Sequence, residues 1–99
     1  MELRHLRYFV AVAETESLTL AAKEKLHTSQ PSLSRQIRDL EEEVGAPLLT
    51  RGARGIELTP AGRVFLDHAR SVLSQVATAT EAARRIGRAS CRERVCLVV

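Results

Sequence analysis

Tryptophan is absent from the 99 residues, and the aromatic side chains are Tyr8, Phe9 and Phe65 alone. So few rings exclude the stacking platforms on which single strands and RNA loops are held. The two cysteines, Cys91 and Cys96, both lie near the end, spaced C-x4-C with no second ligand pair nearby, so neither zinc nor a disulfide is expected. No apolar run approaches membrane-spanning length. The opening "MELRHLRYFV" mixes acid and base from its second residue, unlike a signal peptide, so no membrane contact and a cytoplasmic location are expected. His5, His27 and His68 are scattered, and Asp67, His68 and Ser71 are neighbours on one helix, not a preorganised pocket with an oxyanion loop. "GARG" is too short and wrongly placed to cradle a phosphate. No enzymatic activity, cofactor or metal is expected, and no internal repeat or low-complexity segment is present.

What remains is a short globular composition, 44% hydrophobic and 27% charged, enough for one domain with a modest core. The formal net charge is +3, but residues 87–99 hold three arginines against one glutamate. Residues 1–86 carry 12 basic and 11 acidic groups. Any argument for an anionic partner therefore rests on where the charges sit, not on their sum.

Periodicity divides the chain into short helices, a hairpin and a long helix. Leu3, Leu6, Val10 and Ala13 mark a first helix over 3–14, and Ser17 offers a cap for a second with Leu18, Ala21, Ala22 and Leu26 on its inner side. After the tight connection "HTS", Leu33, Ile37, Leu40 and Val44 make the inner face of a third helix. Thr28 or Ser29 can cap it, Pro31 is tolerated in its first turn, and Gly45 closes it. Leu48–Arg51 and Ile56–Thr59 flank a Gly-Ala-Arg-Gly turn and read as a β-hairpin. From Thr59-Pro60 a long helix runs to about Ile86. Phe65, Ala69, Val72, Val76, Ala79, Ala83 and Ile86 form a heptad seam along it, with Leu66 and Leu73 beside it. The expected fold is mainly α: a winged helix-turn-helix of three helices and a two-stranded wing, then a long dimerisation helix.

The third helix carries the chemistry. At about 100° per residue, Arg35, Pro31, Arg38 and Ser34 fall roughly 200°, 160°, 140° and 100° around from Leu33, with Gln30 at the leading edge. The outward face of the first turns is thus Gln, Pro, Ser, Arg, Arg, without a negative charge until Asp39. A major groove admits one helix, and a helix N-terminus brings its positive dipole end to the bases. Arg presents a fork suited to guanine and Gln one suited to adenine. Arg51 and Arg54 flank the hairpin tip, where a wing arginine suits a minor groove or phosphates. Glu41, Glu42 and Glu43 read as a solvated face beyond the groove.

At these residues the chain resembles the N-terminal DNA-binding region of LysR-type transcriptional regulators. "MELRHLRYFVAVAE", "SQPSLSRQIRDLEEEVGAPLL" and "LTPAG" look like family signatures in order over about residues 1–86. The resemblance implies that Gln30, Pro31, Ser34 and Arg35 contact bases or backbone in the groove, that Thr28, Ser29 and Ser32 lie at phosphates, and that Arg54 sits on the wing. It also implies a homodimer through the long helix on an interrupted palindrome of double-stranded DNA. "AAKEKLH" carries one residue more than the AAxxLH pattern, which lengthens the second helix or its turn.

The expected division is 1–58 as the winged helix-turn-helix, 59–86 as a dimerising linker helix and 87–99 as a tail outside the family pattern. "IGRASCRERV" resembles the translation of a sequencing-adaptor read joined to a truncated gene, the alternative being a natural short tail, and the family's effector domain is not expected in this chain. No small-molecule effector site is expected in this chain. Dimerisation is expected through Phe65, Leu66, Ala69, Val72, Leu73, Val76 and Ala83. The rival is a pairing module that joins full-length relatives without reading DNA itself. A third reading, nonspecific polyanion binding, predicts salt-sensitive affinity without sequence preference.

Overall fold

The structure, a computed structural model, describes residues 1–92, and for residues 89–92 the helical backbone alone. Its elements are α1 (Leu3–Thr15), α2 (Leu18–Leu20), a π-helical turn (Ala21–Lys25), α3 (Gln30–Val44), β1 (Leu49–Gly52), β2 (Gly55–Leu58) and α4 (Pro60–Arg92). This is a winged helix-turn-helix with a long appended helix. No helix among the described residues is long and apolar enough to cross a membrane.

Local chemistry sets most of the boundaries. The Glu2 N–H donates to His5 Nδ1 at 3.0 Å at the start of α1, and Glu16 ends that helix in the left-handed region (φ 57°) with its N–H on Val12 O. Ser17 caps α2 by accepting the Leu20 N–H at 3.1 Å. Of the two capping residues open for α3, Ser29 is the one used: its Oγ accepts the Ser32 N–H at 3.2 Å, with Pro31 in the first turn and Gly45 (φ 85°) at the far end. Thr59 begins α4, accepting the Gly62 N–H at 2.9 Å while its hydroxyl donates to Pro47 O at 2.7 Å.

The second helix departs from the expected regular stripe over Leu18–Leu26. Only Leu18–Leu20 is α-helical; from Ala21 the turn widens, so that Leu26 N–H reaches Ala21 O and Thr28 N–H reaches Ala22 O, both at 3.0 Å. A π turn is how one surplus residue enters a helix without displacing the residues after it. Ala21 and Ala22 stay buried while Lys23, Glu24 and Lys25 bulge to solvent. The chain then passes His27 in the left-handed region (φ 51°) to reach Ser29.

The wing is a two-stranded antiparallel sheet with Leu49 opposite Leu58 and Arg51 opposite Ile56. Its strands are shifted by one residue from the expected segments, and Ala53 and Arg54 form the tip. Gly55 (φ 116°) passes so close to α1 that a Cβ would stand 2.9 Å from Glu16 O, whose carbonyl accepts the Ile56 N–H at 3.1 Å. Only glycine fits both the backbone and the space there.

Phe9, Val12, Leu33, Leu40 and Leu48 are the large side chains fully removed from solvent, contributed by α1, α3 and the entry to β1. Phe65 of α4 meets Phe9 edge to face, centroids 5.4 Å apart and planes at 75°. Leu66 and Ala69 join it in this core, 8% and 2% exposed. Of the expected dimerisation seam, Leu66 and Ala69 are buried within the chain, and Phe65 is half-buried on Phe9. A heptad period marks an apolar stripe without telling which of its turns lie on the helix's own domain. Beyond Arg70 the stripe is half-buried at Leu73 and Val76 and exposed at Val72 and Ala83.

Helix α4 also continues through Gly87 to Arg92, past the expected limit at Ile86. The proposed tail falls largely outside the described residues, including Cys96 and the side chain of Cys91.

Candidate nucleic-acid interface

Helix α3 presents its inner face to the core through Leu33, Ile37 and Leu40, which fixes the opposite face outward. Pro31, Arg35 and Arg38 are exposed, and Gln30 and Ser34 half-exposed. Together with Arg51 of β1 these six line one groove of about 560 Å³ along the front of α3, closed at its far end by Asp39 and Glu42. A second groove of about 410 Å³ shares Gln30 and Arg51 and adds Arg54 and Thr19, so the outward face of α3 runs on into the gap between α2 and the wing tip.

The charges on this surface are unspent. The ion pairs among the described residues join Met1 to Glu43, Arg4 to Glu2, and Lys25 and Arg70 to Glu14. None of them uses Arg35, Arg38, Arg51 or Arg54. All four are exposed, Arg35, Arg38 and Arg51 along one groove and Arg51 and Arg54 along the adjoining one, and the first turn of α3 holds no acid. Such a surface attracts a polyanion while the polar forks of Gln and Arg remain free to bond base edges.

Thr28, Ser29 and Ser32 stand apart from this groove at the start of α3. Ser29 Oγ is committed to capping, and Ser32 Oγ accepts Gln36 Nε2 at 3.4 Å. Both hydroxyls can still donate outward, as a phosphate contact requires. Thr28 is half-buried, its N–H on Ala22 O.

The run Glu41–Glu43, expected as a uniform solvated face, divides into three roles. Glu42 lines the far end of the groove. Glu43 pairs with the N-terminal amine at 2.7 Å. Glu41 is half-buried, and its Oε2 accepts the backbone N–H groups of Leu48 and Leu49 at 2.7 and 3.1 Å. Nothing in the local sequence separates the three, because Glu41 finds its partners across the turn at the end of the helix.

On α4 beyond Arg70, Val72 and Ile86 are 43% and 68% exposed. Leu73 and Val76 are half-buried and line a shallow groove between Arg7 of α1 and Arg84. Ala83 is exposed. This is an apolar strip on a helix that extends well past its own domain.

The architecture has close counterparts. Residues 3–63 match the family model described as "Bacterial regulatory helix-turn-helix protein, lysR family". The Hca operon transcriptional activator HcaR of Escherichia coli (strain K12) is 62% identical over 86 residues, covering 87% of this chain and 29% of HcaR. Among solved structures, the DNA-binding domain of BenM in complex with catB site 1 DNA superposes with a TM-score of 0.84 at 53% identity, covering 88% of this chain and 97% of that one. The CbnR DNA-binding domain in its DNA complex gives a TM-score of 0.82 at 46% identity, covering 88% and 99%. The chain thus spans 29% of the length of a curated full-length relative and nearly the whole of the isolated DNA-binding domains.

Proposed function

Because this chain belongs to the lysR family of bacterial helix-turn-helix regulatory proteins, we propose that it binds double-stranded DNA sequence-specifically as a transcription regulator's reading head. Helix α3 enters a major groove with Gln30, Pro31, Ser34, Arg35 and Arg38 toward the bases. Ser29, Ser32 and Thr28 stand at the flanking phosphates. Arg51 and Arg54 carry the wing to the neighbouring minor groove or its phosphates. The observation that carries this reading is the groove in which four residues of α3's first turns meet Arg38 and Arg51, with Arg35, Arg38 and Arg51 in none of the ion pairs among the described residues.

Residues 1–58 form the reading unit in this account, and the helix from 59 to 86 pairs it with a second copy. Pairing runs through Val72, Leu73, Val76 and Ala83, with Phe65 at its edge. Two recognition helices then reach successive major grooves of an interrupted palindrome, roughly one helical turn or a multiple apart. Alanine at several seam positions buries little area, so the pairing is weak in isolation. The regulators this chain resembles give no reason to assign it catalysis, and its setting in this account is the cytoplasm, beside the DNA.

Fluorescence anisotropy with a labelled catB site 1 duplex and a scrambled duplex tests the reading across a salt titration. The expected result is preference for the site, erased by Arg35→Ala, since a good bidentate base contact is worth about 1–3 kcal/mol of discrimination. A pairing module would be untouched by Arg35→Ala. Equal binding of both duplexes by the unaltered chain would overturn specific recognition.

A further inference from the structure

An acid on the inward flank of a polyanion-binding surface needs a reason. Glu41 lies on α3 one turn beyond Arg38, and with Arg38, Arg51 and Thr50 it lines the seam between that helix and the wing, a cavity of about 290 Å³. Its charge does not face that seam unopposed. One carboxylate oxygen takes two backbone N–H groups in succession, Leu48 at 2.7 Å and Leu49 at 3.1 Å, and the backbone carbonyl of the same residue accepts the N–H groups of Gly45 and Ala46. Glu41 thus receives the chain as it leaves α3 and again as it enters β1.

The ladder shows why the Leu49 donor is free, while Leu48 stands one residue before β1 and its N–H turns to Glu41. In an antiparallel pair, hydrogen-bonded and non-hydrogen-bonded positions alternate. Thr59 N–H reaches Leu48 O at 3.0 Å, which makes Leu49–Leu58 and Arg51–Ile56 the non-hydrogen-bonded pairs. The N–H groups of Leu49 and Ile56 therefore point out of the two edges of the hairpin. The β2 edge is held by α1, through Ile56 N–H on Glu16 O at 3.1 Å. The β1 edge is held by α3, through Glu41. A two-stranded hairpin is at best marginally stable alone, so its direction is set by what grips its edges.

We infer that Glu41 is the positioning residue of the wing: its carboxylate fixes where Arg51 and Arg54 stand relative to the reading face of α3. This rests on the DNA-binding reading above. Helix and wing then approach DNA as one rigid caliper, and groove-to-groove spacing is read by the length of the Glu41 side chain.

The test compares Glu41→Ala and Glu41→Gln in the full chain on the labelled catB site 1 duplex, alone and combined with Arg51→Ala/Arg54→Ala. Glutamine keeps one oxygen able to accept both N–H groups, so Glu41→Gln binds as the unaltered chain does. Glu41→Ala lowers the slope of log affinity against log salt by about 1 to 2, as expected when one or two arginines lose phosphates. It adds nothing further where both wing arginines are already gone, a result that general loss of stability would not give. Should Glu41→Ala melt below assay temperature, Glu41→Asp, one methylene short of the two N–H groups, carries the same comparison. An unchanged slope for Glu41→Ala or Glu41→Asp overturns the inference, and so does an effect that multiplies with the arginine double variant. If those results come while Arg35→Ala still erases site preference, only the role of Glu41 falls. If site and scrambled duplexes bind alike from the start, the sequence-specific reading falls with it.

Discussion

Gly62→Ala should unfold this domain more readily, although alanine is the better helix former. Inside an ordinary helix the exchange gains about 1 kcal/mol, because glycine loses more backbone freedom on folding. Gly62 is in the first turn of α4, and there a Cβ would land on the backbone carbonyl of Leu48, 3.0 Å from its carbon and closer to its oxygen, with Leu58 Cδ2 at 3.1 Å. That carbonyl cannot step aside. It accepts the Thr59 N–H at 3.0 Å, and the peptide N–H of the same residue is held by Glu41. The helix must lift instead, loosening the Thr59 N–H bond, the 2.7 Å bond from Thr59 Oγ1 to Pro47 O and the cap on the Gly62 N–H. Each bond contributes about 1 kcal/mol and a cap about 0.5–2, so the loss exceeds the gain by about 2 kcal/mol. For a domain of this size that lowers Tm by roughly 8–16 °C. Circular dichroism melts at one fixed protein concentration measure it. Gly87→Ala is the control: nothing lies within 4 Å of its Cβ, so it should raise helicity and leave Tm where it was. A Gly62→Ala protein as stable as the parent would refute the packing of α4 on Leu48.

Deleting Glu24 should convert the π turn to α, let Leu26 N–H pair with Ala21 O in the regular i to i−4 pattern, and leave stability within about 1 kcal/mol of the parent in a thermal melt. Deleting Arg38 instead rotates Leu40 and Val44 about 100° off the core and should abolish the cooperative melt. Phe9→Ala, at a fully buried ring that meets Phe65 edge to face, should cost about 3–5 kcal/mol by urea denaturation.

Much of the outward face of α3 was legible along the chain because its causes are local. Gln30, Pro31, Ser34, Arg35 and Arg38 point outward once Leu33, Ile37 and Leu40 point inward, and that comes from helical period alone. Ser17, Ser29, Gly45 and Thr59 mark helix ends through side-chain and backbone chemistry within three or four residues. The surplus residue of "AAKEKLH" was countable, but not the way it would be absorbed. A longer α-helix and a π turn differ only in which carbonyl Leu26 finds, and the burial of Ala21 and Ala22 against α1 and α3 decides that. The roles of the three glutamates were hidden for the same reason, since partners at Leu48, Leu49 and Met1 are not within a helical turn of them.

The long helix draws the line most clearly. Its stripe of Phe65, Leu66, Ala69, Val72, Leu73 and Val76 is one uninterrupted pattern in sequence, and the sequence alone determined that the helix exists, where it starts and that it has one apolar side. Only the tertiary structure divided that side, folding its first part onto Phe9 and leaving the part beyond Arg70 partly or wholly exposed. Periodicity records that a residue avoids water, whereas what shields it depends on where α1 lies in space. The same division holds at the interface: the sequence determined which arginines α3 and the hairpin carry. Only the fold decided that Arg38 and Arg51 line one groove, because Glu41 and Glu16 grip the two edges of the wing from helices distant in the chain.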